Sequence, residues 1–279
     1  MIQTILLPVD GSANSGTALE YGVYIAPKLG ASLTGLHVID VFLIQGPMMT
    51  DITATVGMPP YEGFLEAVET SLKEKADAIL ASFQKRCRAA GVACAAKTNI
   101  GKISDTIIEE AENADLILMA KKGEHFHLKE GGLIGSVAEV VIRKSGKPVL
   151  VTPESYREIE SMGLAYDGSP SAKKALALSL SLSEKAQWPI TVLIVNADAA
   201  KAADLSAQVE NMAERGAANC EVIISSGKEA EEILKFIKEG SVELMAMGAY
   251  GHNRLREWLL GSTTSTIIQK SPVPVLLIR

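Results

Sequence analysis

Two stretches decide the fold: ILLPVDGSANSGTALEYGVYIA at Ile5–Ala26 and MGLAYDGSPSAKKALALSLSLS at Met162–Ser183. Each is a short apolar run, then Asp-Gly-Ser, then an amphipathic segment, and Asp10-Gly11-Ser12 stands over Asp167-Gly168-Ser169 at an offset of 157 residues. A strand, a turn and a helix written twice point to an internal duplication. The ends of the halves repeat as well. ADLILMAKKG (Ala114–Gly123) matches VELMAMGAYG (Val242–Gly251), and KSGKPVLV (Lys144–Val151) matches KSPVPVLL (Lys270–Leu277), at offsets of 126 to 128. The change of offset gives the first half about thirty extra residues, and these fall between Ile39 and Lys73 around QGPMMTDITATVGMPPYEG. An excursion of that length is either functional, mobile, or a cover over an exposed edge or apolar patch.

Outward from those stretches, short apolar runs alternate with amphipathic segments, the pattern of an α/β fold with a mostly parallel sheet. In the first half the expected strands are Gln3–Val9, Ser32–Val38, Ala93–Thr98, Leu116–Ala120 and Pro148–Thr152. In the second they are Gly163–Tyr166, Ile190–Asn196, Cys220–Ser225, Leu244–Gly248 and Val273–Ile278, with helices such as Ser171–Ala186 and Glu229–Gly240 between them. Five strands and four helices per half make two tandem, doubly wound, five-stranded domains, expected at residues 1–153 and 162–279. The polar run TPESYREIES (Thr152–Ser161) reads as the linker. In such a sheet the ligand crevice lies beyond the carboxyl ends of the strands.

Composition agrees and narrows the function. The 279 residues are 47% apolar, enough for two ordinary cores. Lys and Arg total 27 against 33 Asp and Glu, a formal net charge of −6, so no general attraction draws this surface to nucleic acid or anionic lipid. Cys87, Cys94 and Cys220 form no CxxC pair and leave an odd count, which suits a reducing, cytoplasmic setting better than a disulfide framework. The opening MIQTILLPVDGS lacks a basic region and meets Pro8 and Asp10 at once, so it is expected to be a first strand rather than a secretion signal or anchor. No stretch approaches the roughly 20 apolar residues of a membrane helix.

The most informative residues follow the fourth strand of the second half. From Gly248 through Gly251 to Gly261-Ser262-Thr263 they spell G-x2-G-x9-G-S. Glycines let a backbone approach a ligand closely, and a helix opening at Gly261 offers free amide donors, an anion site in outline. The hydroxyls of Ser262 and Thr263 either cap that helix or donate to an anion. Spacing alone leaves a plain capped loop equally open. Asp167 has two readings as well, a ligand carboxylate or simple turn and cap chemistry.

The duplicated VDGS-type first strand, the G-x2-G-x9-G-S loop and the terminal PVPVLLI strand (Pro272–Ile278) together resemble the universal stress protein family in its tandem two-domain form. The resemblance spans nearly the whole chain apart from the excursion. It implies an adenine-nucleotide alpha-hydrolase-like fold, with the final strands of the two domains, Pro148–Thr152 and Val273–Ile278, side by side as an intrachain pseudo-dimer. It also implies ATP, with Mg or Mn on its phosphates: Asp167 and the Val195 backbone at the nucleoside, and Gly248, Gly251, Gly261, Ser262 and Thr263 at the phosphates. His252 and Arg254 are possible additions. No catalytic residue and no protein-held metal is assigned.

The first half departs from the motif. Asp10 and Val38 stand in place, but Ala120 replaces the first glycine and eleven residues, not nine, separate Gly123 from Gly135-Ser136. An Ala where positive φ or close backbone contact is needed costs about 1 kcal/mol or more. This half is therefore expected to bind nucleotide poorly or not at all. The competing expectation is that Lys121, Lys122 and Lys129 replace the lost contacts and leave a different anion site. His125 and His127 suggest no third metal ligand, and His37, in an apolar strand, is expected to be a satisfied core residue. Gly101-Lys102 and Gly227-Lys228 lack the rest of a G-x4-GK-[ST] loop, and GxGxxG, GxSxG and HExxH are absent from the sequence.

Three functions follow in order. The first is a nucleotide-binding regulatory protein of the stress response that presents a nucleotide-dependent state to a protein partner. The second is a nucleotide-independent scaffold, and the third a slow ATPase. Neither nucleic acid nor membrane is an expected partner, and association of two chains into a homodimer stays open.

Overall fold

The computed structural model describes residues 2–45, 64–124, 134–215, 220–240, 242–249 and 261–279. Its first half runs β1 (Thr4–Pro8), α1 (Ala13–Leu29), β2 (Ser32–Asp40), α2 (Val41–Gln45), α3 (Phe64–Ala89), β3 (Cys94–Gly101), α4 (Ile103–Ala111), β4 (Leu116–Ala120), α5 (Ser136–Lys144) and β5 (Val149–Thr152). The second runs β6 (Met162–Ala165), α6 (Pro170–Ala186), β7 (Ile190–Val195), α7 (Ala199–Arg215), β8 (Cys220–Ser225), α8 (Glu229–Glu239), β9 (Leu244–Gly248), α9 (Ser262–Lys270) and β10 (Val275–Ile278). All ten expected strands form, within a few residues of the expected ends.

They make one sheet in the order β3-β2-β1-β4-β5-β10-β9-β6-β7-β8. Among the described residues every pairing within each half is parallel, and the one antiparallel junction is β5 against β10, with Leu150 facing Leu276. The expected pseudo-dimer is thus a sheet continuous through the seam. Strands at its centre, such as β4, β5 and β10, are almost wholly buried, as a parallel sheet covered on both faces requires. The outer strands β3 and β8 alternate instead between half-buried and exposed positions. One cluster of buried side chains includes residues of α1, α3, α6 and α7, and a second, on the opposite face, includes residues of α4, α5, α8 and α9; both clusters draw on both halves.

The helix starts come from the repeated tripeptide. Ser12 caps α1 by accepting from Ser15 N at 3.2 Å, and Ser169 caps α6 by accepting from Ala172 N at 3.1 Å, with Pro170 following in the first turn. Ser-Pro suits that place because proline lacks the N–H that a first turn leaves unpaired.

The segment expected as a linker is fastened to α1. The Tyr21 hydroxyl donates to Ser155 O and accepts from Arg157 N, the Tyr24 hydroxyl donates to Ile159 O, and Tyr156 lies 4.9 Å from the Tyr21 ring. Ile159 is wholly buried. Polar composition concealed this, because the groups that hold the segment to α1 are backbone N–H and C=O groups, the Tyr156 ring and Ile159. Among the described residues no helix is long and apolar enough to cross a membrane.

Candidate functional site

In the second half β6, β7 and β9 end together, with Ala165 in register with both Leu193 and Met247. The strand order places the change of direction between β6 and β9, the position where open α/β sheets take ligands. Asp167 stands two residues beyond β6, exposed, with Oδ1 accepting from Ser169 N at 2.9 Å across Gly168, whose φ is +76°. That is the turn chemistry, and it occupies one oxygen. Oδ2 has no hydrogen bond among the described residues and is placed to accept from a ligand. Val195 ends β7 in register with Ser225.

The two described glycines of the motif have different physical roles. A Cβ on Gly248 would lie 2.7 Å from Ser171 Oγ and 2.9 Å from Ala172 N, so this glycine admits the amino end of α6 against β9. Its φ is not in the positive region. Neither is that of Ala120, its counterpart, so no positive-φ strain arises there. Gly261 is the reverse case. It caps α9 at φ −58°, and a Cβ there would meet only Thr264 Oγ1 at 3.8 Å among the described residues. No packing of the described chain asks for glycine at 261.

Helix α9 begins without a side-chain cap. The hydroxyls of Ser262 and Thr263 make no hydrogen bond among the described residues, while Thr264, one residue on, is buried and donates to Ala249 O at 3.4 Å. Of the alternatives open for Ser262 and Thr263, capping is therefore not the one realised. A helix start with unpaired N–H groups, a positive dipole end and two uncommitted hydroxyls is chemically suited to an anion. The sequence assignments to Gly251, His252 and Arg254 lie outside the described residues, as do those to His125, His127 and Lys129.

In the first half several of the corresponding parts are bonded within the protein, although α5, like α9, starts at a glycine without a side-chain cap. Asp10 repeats the turn of Asp167, its Oδ1 accepting from Ser12 N at 2.9 Å, but its Oδ2 accepts from Glu124 N at 2.7 Å. The Gly135 N–H is given to Lys121 O at 2.9 Å. Lys121 is buried and its ammonium reaches across the seam to Gln269 O at 3.1 Å. Burial lowers the pKa of Lys121 more than the nearby Glu154 carboxylate raises it. Lys122 pairs with Glu154 at 2.8 Å, and that ammonium holds the Glu154 carboxyl below its ordinary range. Lys75 pairs with Glu124 at 2.6 Å. Both lysines following β4 have partners within the protein.

A cavity of about 440 Å³ nevertheless opens at the carboxyl ends of β1, β2 and β4, lined by Asp10, Val38, Ala120, Gly123 and Ser136 among others. His37 lines it too, 8% exposed, its Nδ1 2.7 Å from Val9 O. The expected core histidine is satisfied, and it also borders a site. Sequence reasoning missed the cavity because its wall includes Leu43 and Leu72, contributed by the described ends of the excursion.

The chain is a duplicated, doubly wound α/β protein whose halves are joined through their last strands. The model of the Universal stress protein family matches residues 1–153 and again residues 158–279, and the chain belongs to that family. A universal stress protein of Synechocystis sp. is 29% identical over 289 residues, covering 100% of both chains. One of Mycobacterium tuberculosis is 23% identical over 300 residues, covering 99% of this chain and 96% of the other. Among solved structures, a universal stress protein of Archaeoglobus fulgidus superposes with a TM-score of 0.77 at 26% identity, covering 98% of this chain and 95% of that one.

Proposed function

We propose that this is a nucleotide-binding regulatory protein that takes ATP in its second half. The observation that carries the reading is the start of α9, where Gly261 leaves open space, no side chain caps the helix, and the Ser262 and Thr263 hydroxyls are uncommitted. These groups fit a polyphosphate: backbone N–H groups and hydroxyls donate to its oxygens, and the helix dipole favours its charge by about 0.3–2 kcal/mol. Asp167, with one oxygen outside the turn, and the Val195 backbone suit the nucleoside, and Gly248 forms the floor between β9 and α6. Gly251 and His252 join the site on the family resemblance alone. Mg or Mn would accompany the phosphates, where it would offset their charge.

Binding rather than turnover is the proposed activity, with the occupied and empty states presenting different surfaces to a protein partner. Calorimetry of the full chain with MgATP tests it. One site per chain is expected, and Gly261→Asp, which sets a carboxylate where phosphate would lie, should abolish the heat. Heat unchanged in Gly261→Asp would refute the assignment of the site.

A further inference from the structure

Helices α5 and α9 both open at a glycine without a side-chain cap, and both are held at the other end by a cation from the opposite half. Lys121 Nζ donates to Gln269 O in the last turn of α9 at 3.1 Å, and Arg279 Nη1 donates to Arg143 O in the last turn of α5 at 3.0 Å. Gln269 and Arg143 occupy the same place in the repeat, 126 residues apart and each one residue before the end of its helix. The two cations do not correspond. In the aligned repeats Lys121 falls on Ala249 and Arg279 on Pro153, neither of which carries charge. Two unrelated positions thus supply a cation to one and the same carbonyl. The physical demand is that the last four carbonyls of a helix lack an intrahelical partner, and a cation there also meets the negative end of the dipole.

Of the two cations, Lys121 is the one that reaches the helix of the proposed nucleotide site. Its backbone is held on both sides, Lys121 N donating to Thr152 O at 3.3 Å and Lys121 O accepting from Gly135 N–H at 2.9 Å, and its side chain is buried. Helix α9 has nine residues and rises about 13 Å, so an ammonium at its carboxyl end does not touch a ligand at its amino end. It acts through the helix instead. With no side chain capping its start, α9 is oriented by the packing of Thr264, Ile267 and Ile268 and by the Lys121 bond at its far end. Donors held in place before a ligand arrives bind it more tightly than donors the ligand must order. We propose that Lys121 of the first half is a positioning residue for phosphate groups bound at the start of α9, so that one half of the chain sets the nucleotide affinity of the other. The inference rests on the nucleotide reading of the second half and adds to it a residue from outside that half.

The test is calorimetry of the full chain with MgATP on the wild type, Lys121→Met, Lys121→Arg and Arg279→Met, with circular dichroism confirming the fold of each. Lys121→Met should raise Kd at least threefold. Lys121→Arg, which keeps a cationic donor for Gln269 O, should stay within twofold of the wild type. So should Arg279→Met, which removes the equivalent bond from α5 and leaves α9 held. A purely structural role for Lys121 would lower Tm and leave the Kd of the folded chain unmoved. An unchanged Kd in folded Lys121→Met, or a Kd raised equally by Lys121→Arg or by Arg279→Met, would overturn the proposal. A wild type that gives no heat removes the nucleotide reading and this inference with it, whereas equal affinity in the wild type and Lys121→Met removes this inference alone.

Discussion

Substituting alanine at Gly248 and at Gly261 separates a glycine required by packing from one reserved for a ligand. At Gly248 the new Cβ would stand 2.7 Å from Ser171 Oγ and 2.9 Å from the backbone nitrogen of Ala172. The serine hydroxyl is not free to swing away, because it lies 3.2 Å from Ser169 Oγ inside the α6 cap. Backbone must move, and overpacking of this kind costs about 1–3 kcal/mol. At about 2–4 °C per kcal/mol for large domains, Tm should fall by about 2–12 °C. At Gly261 the Cβ meets nothing nearer than 3.8 Å among the described residues, at a φ that any residue adopts. The cost there is the helix-cap preference alone, about 1 kcal/mol. Scanning calorimetry with and without MgATP reads both effects. Gly248→Ala should lose stability in the absence of nucleotide, whereas Gly261→Ala should keep most of its stability and lose most of the upward Tm shift that ATP gives the wild type. Equal Tm for Gly248→Ala and wild type would refute the packing argument, and a full ATP shift in Gly261→Ala would refute the reserved space.

Three other outcomes follow from buried groups. Burial depresses the Lys121 pKa in the folded state, so the chain binds this proton less well folded than unfolded. The resulting penalty is present below the depressed pKa and is relieved as pH rises toward the ordinary 10.5; any Tm advantage of Lys121→Met at pH 7 should therefore shrink by pH 10, and a pH-independent difference would contradict it. The Cys87 thiol is pushed up to about 12, chiefly by burial, with Cys94 beside it, so iodoacetamide at pH 8 should modify Cys87 last and only at the rate of unfolding. Mass spectrometry showing Cys87 alkylated before Cys94 would contradict that. Leu276, 1% exposed and opposite Leu150 across the seam, should cost about 2–5 kcal/mol when cut to alanine, read as a lower denaturation midpoint.

What the sequence made legible was whatever repeats or alternates. The strands, the Asp-Gly-Ser turns and their helix-cap chemistry follow from local pattern and duplication, and the meeting of the final strands is implied by the family resemblance. What stayed hidden depends on contacts between distant residues. Nothing local to Gly248 says that its neighbour is the amino end of α6, and nothing near Lys121 says that its ammonium ends on Gln269 O. The motif spacing marks the first half as altered, through Ala120 in place of the first glycine and two extra residues that would displace the backbone amides. What it could not show is a loop folded onto Asp10, with the lysines drawn into ion pairs or the seam. Tyr21 and Tyr24, three apart on α1, were a usable signal for the fastened linker, since tyrosines on a helix face often bury their rings and need a partner for each hydroxyl.

The seam explains how the two halves came to differ without cost to the fold. Because β5 meets β10 antiparallel while every other pairing is parallel, the carboxyl ends of the first-half strands lie on one edge of the sheet and those of the second half on the opposite edge. The strand ends that would border a ligand therefore lie on opposite edges of the sheet in the two halves. In a dimer of identical single domains any substitution in a crevice appears twice, so a change that removes nucleotide from one site removes it from both. In a covalent tandem the same change appears once. The excursion of the first half, with Leu43 and Leu72 on its cavity, is a change of that one-sided kind. The buried pairs across the seam, Leu150 with Leu276 and Val151 with Val275, must still match, and there the two halves remain alike in sequence as well as structure.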